Sequence, residues 1–97
     1  MMKQGVLVYD ERSGRMDIRF GLEEYYGGLH CGTTMDVLVQ NRWIPTRIEM
    51  ADDWYLVGIK TNILSGLRVR IQLLEYKKIW TVWMNKKIIG IFNAITY

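Results

Sequence analysis

A chain of 97 residues has room for one domain, and a composition of 49% hydrophobic and 24% charged residues belongs to chains that fold, not to disordered ones. A single cysteine, Cys31, excludes an internal disulfide, and the formal charge of +3 conceals an uneven distribution. Four Trp, six Tyr and two Phe exceed what a minimal core needs, so some of them are expected to face a partner.

The first residues, Met1 to Gly5, lack the apolar run of a signal peptide, which makes a cytoplasmic location the expectation. Val6 to Tyr9 is a short β-branched run, and Asp10 to Gly14 has the Asp, Ser and Gly of a hairpin loop. Met16, Ile18 and Phe20 then alternate with Arg15, Asp17 and Arg19, the period of a half-buried strand. Glu23 to Gly28 has no long period and two glycines, so a loop with at most one helical turn is expected there.

Met35 to Val39 reads as another strand. Asn41 and Arg42 separate it from Trp43 at hairpin spacing, and Asp52 and Asp53 separate Ile48 and Met50 from Trp54 to Val57 in the same way. Pro45 must therefore lie at a strand edge, start or bulge, because proline cannot donate to a sheet ladder. Leu67, Val69 and Ile71 interleave with Arg68 and Arg70 as a further half-buried strand, and no long helix is expected before Gln72.

From Gln72 onward the pattern changes. Ile79 to Met84 and Ile88 to Ile95 flank Asn85, Lys86 and Lys87, which predicts a last β-hairpin. A membrane span is excluded, since the longest apolar run falls well short of about 18 residues and two lysines interrupt it. Nine Lys/Arg balance nine Asp/Glu through Ile71, whereas Lys77, Lys78, Lys86 and Lys87 face Glu75 alone, so the net charge sits in the tail. The expected organisation is a small β-barrel domain over 1–71 and a basic, apolar hairpin over 72–97 packed on it. The expected fold class is all-β, an SH3-like barrel or rolled antiparallel sheet with a C-terminal β-hairpin extension.

No residue set for catalysis or metal binding stands out in the sequence. His30 and Cys31 are adjacent and point opposite ways in an extended segment, so they make no dyad and, without a second Cys or His, no zinc site of the usual ligand set; packing is their expected role. Turn chemistry accounts for Asp52 and Asp53, Glu23 and Glu24 lie in a loop, and Gly27, Gly28 and Gly32 lack the strand and helix of a phosphate loop. No catalytic residue, metal, cofactor or small-molecule substrate is expected, and the protein is read as a binder and not an enzyme.

Binding candidates are clearer. Arg42, Trp43, Arg47, Trp54 and Tyr55 lie on neighbouring predicted strands, where a guanidinium and aromatic face would suit base stacking or an interface hot spot. A tryptophan core with solvated arginines is the competing account. Lys77, Lys78, Lys86 and Lys87 suit phosphate contact or serve as charged gatekeepers of the hairpin, whose apolar flanks would allow homodimer pairing. Trp80, Val82, Ile89 and Ile91 would complete the core if the hairpin packs down.

From Leu29 to Ile71 the chain resembles a family of short Gram-positive bacterial proteins common on mobile elements and catalogued as a domain of unknown function. The likeness rests on Leu29, His30, Cys31 and Gly32, on Trp43, Thr46, Arg47, Ile48 and Glu49, on Trp54, Tyr55, Leu56 and Gly58, and on Gly66, Leu67, Val69, Arg70 and Ile71. With Val6 to Phe20 it covers about two thirds of the chain and stops near Ile71. The resemblance implies that the basic hairpin is an addition with an activity of its own. It also implies an anti-CRISPR role, an inhibitor that binds a type II Cas9 effector or interferes with its guide RNA assembly. The alternative is a nucleic-acid-binding barrel of a plasmid or phage.

Overall fold

The computed structural model describes residues 1–73. The expected C-terminal hairpin, with Lys77, Lys78, Lys86 and Lys87 and the apolar residues Trp80, Val82, Ile89 and Ile91, lies outside the described residues. Six strands follow in chain order: β1 (Met2–Asp10), β2 (Arg15–Arg19), β3 (Thr34–Val39), β4 (Arg42–Met50), β5 (Trp54–Leu56) and β6 (Arg68–Gln72). They form one antiparallel sheet in the order β2-β1-β6-β3-β4-β5, and there is no helix among the described residues. The all-β expectation holds. Glu23 to Gly28 contains no helical turn.

Local chemistry sets the hairpins. Gly14 has φ +73°, and the Asp10 carboxylate accepts from the Arg12 N–H and the Ser13 hydroxyl at 3.1 and 2.9 Å, which closes the β1–β2 loop. The β3–β4 turn is Gln40 and Asn41, one residue earlier than the sequence suggested, and both have positive φ (50° and 67°), the backbone of a two-residue hairpin turn. That turn makes Val39 and Arg42 a hydrogen-bonded pair, so alternation leaves Pro45 opposite Asp36 as a non-bonded pair. The missing N–H of Pro45 is then not needed on the β3 side, and β5 pairs only with Ile48 to Met50 further along β4.

Alternation places Leu7, Met16, Ile18, Met35, Val37, Ile48, Leu56, Val69 and Ile71 on one face, all buried, with Leu29 and Leu64 added from the loops. Gly5 occupies this face because β2 crosses close by: a Cβ there would stand 2.6 Å from the Arg19 carbonyl oxygen and from Ile18 Cγ2. The sheet rolls around the core without closing. Trp54 Nε1 donates to the Gly14 carbonyl at 2.9 Å, tying β5 to the β1–β2 loop across the gap between the two ends of the sheet.

The free edge of β2 is covered by the chain that follows it. Tyr26 N–H donates to the Ile18 carbonyl and Leu29 N–H to the Met16 carbonyl, each at 2.8 Å. This cover explains the departure from alternation at Asp17, expected to face solvent but only 9% exposed. Its Oδ1 accepts from the N–H groups of Ile18, Gly27 and Gly28 at 2.8, 2.9 and 2.9 Å, pinning the covering segment to the strand. Among the described residues no helix is long and apolar enough to cross a membrane.

Candidate functional site

The face of the sheet turned away from the core carries most of the charged residues of the strands. Register puts Arg70 of β6 opposite Asp36 of β3, and Asp36 opposite Pro45 of β4, so three strands meet in one row. Trp43 stands opposite Leu38, two residues from Pro45 and on the same side. Arg70 links the row: its Nε donates to Asp36 Oδ2 at 2.9 Å, and its guanidinium lies over the Trp43 ring, 4.5 Å from the ring centre. Non-hydrogen-bonded pairs bring side chains closest together, and Asp36–Pro45 and Leu38–Trp43 are such pairs. The indole, the guanidinium and the carboxylate are therefore held against one another by backbone geometry.

The candidates named from the sequence divide between the two faces. Trp43 and Arg47 share the outer face, where Arg47 pairs with Glu49 at 2.9 Å, and Tyr55 joins them from β5 opposite Glu49, 43% exposed. Arg42 alternates to the other side beside the turn. Trp54 is half-buried against the core with its N–H committed to Gly14, the structural role that was the competing account for the tryptophans. Lys77, Lys78, Lys86 and Lys87 lie outside the described residues.

Four outer-face residues escaped the sequence-derived set: Asp36, Arg68, Arg70 and Arg19. Outward alternation on β6 marked both of its arginines as solvent-facing, but β6 joins β3 only through long-range pairing. His30 and Cys31, expected to pack, are instead exposed in the turn before β3. There the Thr33 hydroxyl donates to the His30 carbonyl at 2.7 Å and Gly32 has φ +90°, which turns the chain outward. No group of three or more metal-ligating side chains exists among the described residues.

Two hollows flank the sheet. One of about 360 Å³ lies at the gap in the rolled sheet, lined by Tyr9, Met16, Trp54, Ile63 and Leu64 among others. Another of about 380 Å³ lies beside β1 and β2, lined by residues that include Val8, Arg12, Arg19 and Tyr25. The Asp10 carboxyl at its rim is held below its ordinary value of 3.8, first by the Ser13 hydroxyl and then by the Arg12 N–H.

Fold and face together define a small rolled antiparallel sheet with a solvent-facing cluster of arginine, tryptophan and aspartate. The chain belongs to the family described as Domain of unknown function (DUF5348), which matches residues 5–71. It is similar to a solved protein from Ruminococcus gnavus, Northeast Structural Genomics Consortium target UgR76, at 59% identity and a TM-score of 0.69, over 71% of this chain and all of that one. No curated protein matches it.

Proposed function

We propose that this protein acts by binding, without chemistry of its own, and that it holds a protein partner on the outer face of its sheet. The observation that supports this reading is Arg70 laid over Trp43 and tied to Asp36 on the side away from the core. Tryptophan and arginine dominate interface hot spots, and a pair already fixed by its neighbours loses little side-chain entropy when a partner arrives. The core lies on the opposite face and does not require either group.

Within residues 1–73 the charge balance favours a protein over a bare polyanion. Nine Lys/Arg and nine Asp/Glu fall within residues 1–73, and Arg47 and Arg70 each already face a carboxylate. A surface made for a phosphate backbone collects an excess of unopposed cations, more than the few unpaired arginines of this face supply. The partner to test first is a type II Cas9 effector or its assembly with guide RNA, a choice supported by the resemblance to short proteins of mobile elements and by no contact in the molecule. A nucleic-acid-binding barrel of a plasmid or phage is the alternative.

The test is affinity capture by the full chain from cells carrying a type II CRISPR system, with guide RNA followed in parallel and a Trp43→Ala/Arg70→Ala variant as comparison. Capture of the effector by the parent chain and its loss in a folded variant is the expected result. Capture of neither effector nor RNA would overturn this choice of partner. Salt-sensitive binding of bare nucleic acid that ignores the double variant would favour the alternative.

A further inference from the structure

Arg68 and Arg19 stand on the outer face with no carboxylate paired to them among the described residues. Arg68 of β6 stands opposite Val6 of β1, and Val6 stands opposite Arg19 of β2, so the three form one row across the sheet. Neither arginine takes part in an ion pair among the described residues. Arg19 donates from Nε to the Gly21 carbonyl at 2.9 Å and from Nη2 to the Leu22 carbonyl at 3.1 Å, contacts that position the group without a carboxylate in direct contact. Asp17, next on the same face, keeps its charge but turns its Oδ1 to three backbone N–H groups and forms no ion pair with Arg19. The 380 Å³ hollow opens beside Arg19, with Val8 and the half-exposed Tyr25 ring among its walls.

We propose that this row and hollow receive an acidic segment of a protein partner, with two carboxylates on Arg68 and Arg19 and one large apolar side chain in the hollow against Val8 and Tyr25. The inference rests on the binding role proposed above and names the chemistry of the occupant. Arg68 and Arg19 are two strands apart, about 10 Å at the usual strand spacing. A polyproline II segment repeats its side-chain direction every three residues, or about 9 Å, so acids at i and i+3 match that separation. The planar fork of each guanidinium fits a carboxylate in two hydrogen bonds. A phosphate chain fits less well, because its evenly spaced charges would bring one over Asp10 and Asp17, which also line the hollow.

The experiment is a titration of the full chain, followed by fluorescence anisotropy, with a labelled synthetic peptide that carries glutamate at every third position and a central tyrosine. A uridine hexanucleotide serves as competitor. Arg68→Glu is expected to weaken peptide binding by about tenfold or more, the scale of one well-placed charge contact. Tyr25→Ala is expected to weaken it less, and Lys60→Gln, an exposed site in the loop between β5 and β6, to change it less than about twofold. Arg19→Glu also removes two loop contacts, so Arg68→Glu, whose side chain makes no hydrogen bond among the described residues, decides the matter if the other fails to fold. Unchanged affinity in a folded Arg68→Glu variant, or displacement of the peptide by an equal concentration of hexanucleotide, would overturn the proposal. Capture of a partner that needs Trp43 and Arg70 but not Arg68 would sink this inference and leave the binding role standing.

Discussion

On β6, Val69 and Ile71 are shut into the core while Arg68 and Arg70, their immediate neighbours, stand on the other face within reach of solvent, Asp36 and Trp43. The inner face is held by non-directional burial, and the buried side chains on it are answerable to packing. The outer face is held by direction: a 2.9 Å hydrogen bond and a stacked guanidinium that contribute little to stability at a surface. A single strand thus carries two separable roles. Stability should track the inner face and recognition the outer.

The largest expected effects come from the inner face. Leu7→Ala should cost about 2–5 kcal/mol, the range for emptying a fully buried leucine site. Gly5→Ala should be of comparable severity, since its Cβ would collide with the Arg19 carbonyl, a backbone atom that cannot swing aside. Urea unfolding of both variants checks this, and a loss below about 1 kcal/mol in either would mean the roll of the sheet relaxes more readily than its packing implies.

Asp17 comes next, because it belongs to the outward register yet acts as structure. Asp17→Ala should cost about 1–3 kcal/mol by leaving N–H groups of Ile18, Gly27 and Gly28 without their acceptor. Asp17→Asn keeps an oxygen there and should recover most of the loss. Amide exchange at Gly27 and Gly28 would show whether the edge cover is what loosens.

Substitutions in the Trp43–Arg70 cluster should barely move stability. Trp43→Ala and Arg70→Ala are each expected within about 1 kcal/mol of the parent, with a coupling of about 0.5–1 kcal/mol in a double-mutant cycle for a contact at an exposed site. Cys31→Ala should be smaller still, within about 0.5 kcal/mol and with binding unchanged, because the thiol is exposed in a turn.

The smallest effect concerns pH. The Asp10 carboxyl titrates below its ordinary 3.8 in the folded chain, so its contribution to the β1–β2 loop is present above that value and is lost as pH falls through the lower folded one. Carbon-detected titration of Asp10 should find a midpoint under 3.8, and Ser13→Ala should move it back towards 3.8, since that hydroxyl is the largest cause.

Alternation made the core side of β2 and β6 legible, because Met16, Ile18, Val69 and Ile71 obey a period that needs no knowledge of neighbours. The same period misplaced Asp17, whose burial depends on a segment ten residues later folding back along the strand edge. The Arg70 cluster was illegible for a related reason. It forms because β6 inserts between β1 and β3, and its contact with Asp36 spans 34 residues of chain. Trp43 and Arg47 were legible as candidates by residue type, while Trp54 was of the same type and went to the core. Type alone does not say which face a tryptophan takes; register against β4 does.

The central claim is that recognition lives on the outer face and stability does not. The most direct test measures both on one Trp43→Ala/Arg70→Ala/Arg68→Ala variant of the full chain, by thermal melting and by capture of the partner from cells carrying a type II CRISPR system. The account predicts a cooperative melt lowered by no more than about 15 °C, the shift expected of about 2 kcal/mol at most, together with loss of capture. A variant that melts like the parent and still captures the partner with undiminished yield would contradict it.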